Sequence, residues 1–144
     1  MTSFQNTADK AIYTGLTANA ALTALLAGGT ANPSVYHALA PEQATLPYVV
    51  FNAQSPSVPA RTMGGGLAYE NALYQVKGIV DSPSAGLAGT IAGAIETALG
   101  GSLTFTGMTH MLCSREQDID YQELAAGGKL FQHRGALYRV QATN

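Results

Sequence analysis

Apolar residues recur every fourth position at Ala8, Ile12 and Leu16, the repeat of a helix buried along one side. Asn6 or Thr7 stands where its N-cap belongs. The phase then slips, because Leu22, Leu25 and Leu26 leave the line set by Ile12 and Leu16. That slip predicts a break over residues 17–19, with Asn19 capping a short second helix that ends at Gly28 and Gly29. The N-terminal region should therefore be a bent helical pair.

From Ser34 onward the period changes from four to two. Ser34 to Leu39 has β-like composition, and Leu46 to Gln54 is a stronger strand of β-branched and aromatic residues, with Pro47 confined to its start. Ser55 to Leu67 holds prolines, serines, Arg61, Met63 and the triplet Gly64, Gly65, Gly66, a composition expected to form a long mobile loop without regular structure. Tyr69 to Asp81 is extended, with Tyr74, Val76, Gly78 and Val80 on one face and Gln75 and Lys77 on the other. Its length predicts a strand that outreaches its sheet. His110 to Ile119 and Leu130 to Ala142 are two further strands, joined by a turn or short excursion over residues 120–129.

Between these strands lies the clearest helix, with Ser82 as N-cap, Pro83 in the first turn and Gly100 and Gly101 past its end. Leu87, Ile91, Ile95, Ala98 and Leu99 form its core stripe. The opposite side carries Ala85, Gly89, Ala92, Gly93 and Glu96, a smooth face with one charge. Two readings fit that face: a tolerated, glycine-rich exposed surface, or a place where another backbone comes close, in this chain or in another subunit. The element order is a helical pair, two strands, a loop, a strand, a helix and two strands. Strands that follow one another without a helix between them favour antiparallel pairing, so the expected class is α+β, a mostly antiparallel sheet with helices packed on one face. A length of 144 residues fits one domain, 1–144.

Composition sharpens the functional reading. Only 11% of residues are charged while 47% are hydrophobic, so large neutral areas should remain on the surface, as in a subunit that meets other copies or partners. The net charge of -2 leaves no basic stripe for gripping nucleic acid. Cys113 is the single cysteine and suits a reducing cytoplasm. The residues from Met1 to Lys10 lack the pattern of a signal peptide, and Ala85 to Leu99 is too short and too polar for a membrane span, so no membrane partner is expected.

Four stretches, in order, carry a family resemblance: Ala20 to Leu26 followed by glycines and a strand near Val35 and Tyr36; Leu46, Pro47, Tyr48, Val49, Val50 and Phe51; Tyr74 to Asp81 running into a helix that ends in Ala98 and Leu99; and a closing strand with His133, Arg134, Tyr138, Arg139 and Val140. In this set the chain resembles the tail-completion, or tail terminator, proteins of tailed bacteriophages. The resemblance implies a non-enzymatic virion component of the tail and neck, made in the host cytoplasm. It further implies a homo-hexameric ring that sits on the major tail tube protein, ends tube growth and offers a docking surface to the head-connector or stopper protein. DNA would pass through the ring without specific binding. In that picture Arg61, Met63, Gly64, Gly65 and Gly66 would reach the tail tube or the next ring, and the small face of the long helix would contact an adjacent subunit.

Two alternatives remain: another phage neck or connector component, or a small ligand-binding or adaptor module. Catalysis finds little support. His37, His110, His133 and Cys113 exist, but there is no nucleophile elbow, HExxH or phosphate-loop signature, and no cofactor is implied. His110 and Cys113, three apart, should fall on opposite faces of a strand and so make no zinc pair.

Overall fold

The computed structural model describes residues 3–81, 85–100 and 103–143. Helix α1, Phe4–Ala18, begins a turn earlier than the spacing predicts. Ser3, rather than Asn6 or Thr7, caps it, its Oγ accepting from the Asn6 amide at 3.3 Å. The reason is Phe4, which extends the apolar line upstream and is buried with Thr7, Ala8, Ala11, Ile12 and Leu16. The expected break follows, and Asn19 Oδ1 accepts from the Leu22 amide at 2.9 Å to cap α2, Ala20–Thr23. Helix α2 stops short of Gly28. From Leu25 onward the amides of Leu25, Leu26 and Gly29 bond to carbonyls three residues back, which tightens the chain into turns.

The described residues form a six-stranded sheet: β1 Val35–His37, β2 Tyr48–Ala53, β3 Val58–Arg61, β4 Leu67–Asp81, β5 Thr109–Leu124 and β6 Leu130–Thr143. Its order is β1-β2-β4-β6-β5, with β3 also paired to β4. Helix α3, Ala85–Gly100, connects β4 to β5. The expected caps Ser82, Pro83 and Gly101 lie outside the described residues. The architecture is α+β, with α1, α2 and α3 packing into one core against the sheet.

Three local expectations give way. Strands β1 and β2 are parallel, because residues 38–47 carry the chain back to the start of the sheet before β2 begins. On that return Ala38 takes φ 67 and the Leu46–Pro47 bond is cis. The stretch read as an irregular loop contains β3, which pairs with β4 from Val58↔Asn71 to Arg61↔Leu67. Pro59 fits there because a strand with a free edge can spare an amide. Finally, β5 continues to Leu124, so residues 120–124 are strand and the turn is confined to residues 125–129 around a 3-10 segment, Ala126–Gly128.

Burial on β4 alternates as the sequence predicts, with Ala72, Tyr74, Val76 and Val80 all in the core cluster. Tyr74 is wholly buried, and its hydroxyl donates to Asp9 Oδ1 at 2.5 Å and accepts from Gln5 Nε2 at 2.6 Å. Burial, then the Asp9 carboxylate, push its pKa far up, so it stays a donor and holds α1 to the sheet. On α3, Ala88, Ile91, Ile95 and Leu99 are buried, with Leu87 and Ala98 packed at the margin.

Two glycines set how closely these parts approach. A Cβ on Gly135 of β6 would lie 2.0 Å from the Val76 carbonyl oxygen of β4, a backbone atom that cannot swing aside. A Cβ on Gly78 would lie 2.5 Å from Ile91 Cγ2, so this glycine admits α3 onto the sheet. Overpacking of this kind costs about 1–3 kcal/mol or more. Urea unfolding should therefore rank Gly135→Ala as more destabilising than Gly78→Ala, and adding Ile91→Ala to Gly78→Ala should cost less than the sum of the two single changes. Strict additivity of that pair would count against the packing described.

Candidate functional site

Three surfaces stand out, each positioned by the long strands. The first is an arm made by β3 and the start of β4. Its turn, residues 62–66, closes through the Thr62 amide to the Gly66 carbonyl at 2.8 Å and the Gly65 amide to the Thr62 carbonyl at 2.9 Å. Gly65 has φ +85, a conformation that a residue with a side chain rarely adopts. Arg61 Nη1 donates to the Gly65 carbonyl at 3.1 Å. Arg61, Met63, Gly64, Gly65 and Gly66 all sit at this exposed tip, and Met63 is fully exposed.

The second surface is the small face of α3. Gly89, Ala92, Gly93 and Glu96 form one wall of a groove of about 320 Å³ whose other wall comes from β5 and β6. Ala85 opens the same helix. Gly89 is close to its own chain, since a Cβ there would meet Arg134 Nη1 at 2.9 Å, while nothing lies within 4 Å of a Cβ on Gly93. Arg115 spans the groove, its Nη1 lying 3.4 Å from Glu96 Oε2 and 3.1 Å from Asp118 Oδ1. Arg134 Nη2 donates to Asp120 Oδ2 at 3.1 Å. These pairs are exposed, so each contributes little to stability. The arm residues do not line this groove.

The third surface, which reading the sequence missed, is a groove of about 530 Å³ on the sheet face away from the helices. Tyr48, Val50 and Ile79 line it together with Leu39, Lys77, Tyr121, Glu123 and His133. Tyr121 stacks on His133 with ring centroids 4.5 Å apart, and Lys77 Nζ donates to the Tyr121 hydroxyl at 2.5 Å. His133 is buried, its Nε2 2.6 Å from Glu123 Oε2, and its Nδ1 has no partner among the described residues. The sequence signal was the alternation Ile119, Tyr121, Glu123, hidden because the segment runs into Gly127 and Gly128 and so reads as a turn.

Burial pushes the Cys113 thiol up to about 12, which leaves it unreactive at neutral pH. A bulge between His110 and Leu112 shifts the register, so His110 and Cys113 pair with Ala142 and Val140 and share a face, contrary to the simple alternation. Among the described residues no group of three metal-ligating side chains occurs, and no helix is long and apolar enough to cross a membrane. What the surfaces offer is shape and contact: a projecting tip, a smooth helical wall and a groove of mixed polar and apolar lining.

Residues 10–143 match the family model of tail completion protein gp17. The chain belongs to that family. It is a structural protein of the phage tail. The fold agrees with that of a chain in a structure described as the virion of a native gene transfer agent particle, with a TM-score of 0.67 at 19% identity, covering 99% of this chain and 100% of that chain. No curated protein matches.

In this tail completion family member the two imidazoles whose buried Nδ1 has no hydrogen-bond partner among the described residues, His110 and His133, make a test of the packing. Burial lowers the pKa of His110 and, against the raising effect of its hydrogen bond to Glu123, that of His133, below the ordinary 6.5. Just below pH 6.5 the unfolded chain binds protons that the folded chain refuses, so stability should fall as pH drops from 7 toward the lowered values. Glu116, held below its ordinary 4.5 by the Arg139 guanidinium, adds a further loss as pH falls through its folded value. Urea midpoints between pH 7.5 and 5 should decline, and His133→Gln should flatten that decline. A slope unchanged in a variant lacking both histidines would refute the assignment.

Proposed function

We propose that this protein closes into a homo-hexameric ring at the neck of the virion, caps the major tail tube and ends its polymerisation, and presents a docking surface to the head-connector protein. The family match over residues 10–143 carries the reading. The surface chemistry supports it. A chain with 11% charged residues exposes neutral area, and on α3 the exposed Gly93, with nothing within 4 Å of where its Cβ would stand, leaves room that a neighbouring subunit could approach closely. The arm suits a contact outside its own protomer, since its tip makes turn bonds only with itself. Single contacts of this size are weak, and sixfold repetition converts them into a stable assembly.

The chain acts by position, with no catalytic step and no cofactor. DNA crosses the ring without being held, as a net charge of -2 gives no field for gripping phosphates. Glu96 on α3 marks the adjacent-subunit face.

Light scattering and negative-stain imaging of the purified protein, alone and with isolated tails, should give a six-subunit ring seated at one tube end. Particles made without it should carry tubes of uncontrolled length that fail to join heads. Gly93→Arg, which fills the smooth wall without entering the core, should reduce the ring fraction at least about tenfold while the thermal midpoint stays within about 2 °C. A strict monomer that leaves tails of normal, head-joined length when deleted would overturn the proposal.

A further inference from the structure

The arm and the outer-face groove, whose lining mixes Val50 and Ile79 with Lys77, Glu123 and His133, lie at opposite ends of one sheet. The arm leaves β4 at Leu67, whereas the groove is built around Ile79 of the same strand, paired with Tyr48 and with His133. At ~3.3 Å per residue these ends are roughly 40 Å apart, so a tip cannot reach the groove of its own chain. The two are nevertheless complementary. The tip presents Met63, fully exposed, with Arg61 two positions before it. The groove offers Val50 and Ile79 as apolar floor and Tyr121 and the strongly exposed Leu39 as rim. At its edge Glu123 uses Oε2 for His133, and its Oε1 has no partner among the described residues. Arg61 likewise spends only Nη1, on its own turn.

Resting on the ring reading above, we propose that the arm of one protomer docks into this groove on a second copy, Met63 entering between Leu39, Val50 and Tyr121 while Arg61 pairs with Glu123. A plug at one end and a socket at the other make a heterologous contact. Such contacts propagate from copy to copy and are satisfied everywhere only when the chain of copies closes. The arm's partner is then the adjacent subunit and not the tail tube.

The test uses the full chain with Cys113→Ser and two added changes, Met63→Cys and Leu39→Cys, oxidised after assembly. A non-reducing gel should give a ladder running up to the ring, which either cysteine alone would not produce. In parallel, Arg61→Glu and Glu123→Lys should each lower the assembled fraction about tenfold, and the two together should recover most of it, as expected for an ion pair at a repeated interface. Circular dichroism of Glu123→Lys checks that the loss of its His133 bond leaves the fold intact, and the cysteine result stands independently of it. Rings that form without the ladder would overturn this docking while leaving the ring reading in place. Cross-linking of Met63→Cys to the tail tube protein in whole particles would do the same. Failure to assemble under any condition, with tails present, would overturn both.

Discussion

The structure depends on how closely β6 lies on β4. Gly135 sits against the Val76 carbonyl with no room for a side chain, and from that line the two strands stay in register from Glu70↔Ala142 to Asp81↔Phe131. Everything else is attached to this spine. Gly78 lets α3 settle on one face, and the Tyr74 hydroxyl ties α1 to the same face through Asp9 and Gln5. The overhanging ends of the long strands supply the arm at one extremity and the β5–β6 turn at the other.

The same spine explains why the surfaces are where they are. Side chains alternate across the sheet, so the residues that build the core on one face leave Lys77, Ile79 and His133 on the other, where no helix covers them. The wall of α3 facing away from the core is free to be smooth because its stability comes from Ile91, Ile95 and Leu99, which bury fully. Surfaces that offer only shape and contact need no strained or reactive group. They need rigid placement, which paired strands provide.

Much of this was legible in the residues, and the failures have physical causes. The Asn19 cap, the Tyr74 face of β4, the Ile91 stripe of α3 and the α+β class all rest on local periodicity, which a sequence displays directly. Ser3 was passed over because Phe4 was not counted as core. Strand β3 was hidden because Pro59 and Val58 sit in a proline-rich, glycine-rich setting whose order is supplied by the distant partner Asn71. The end of β5 was hidden because the glycines that close residues 120–129, Gly127 and Gly128, made the whole segment read as a turn. The bulge beside Met111 moved Cys113 to the face of His110, a one-residue event that alternation cannot announce. Of the surfaces, the tip and the α3 wall could be read from composition, whereas the outer-face groove joins β2, β4, β5 and β6 and exists only once those strands are paired.

Among the described residues strand β5 leaves one long edge of the sheet unpaired, the kind of edge on which other proteins aggregate. Here Glu116, Asp118, Asp120 and Glu123 crowd eight consecutive positions, each tied sideways to a cation or imidazole. A further strand laid along that margin would have to desolvate or break those pairs, a cost that a bare apolar edge would not impose.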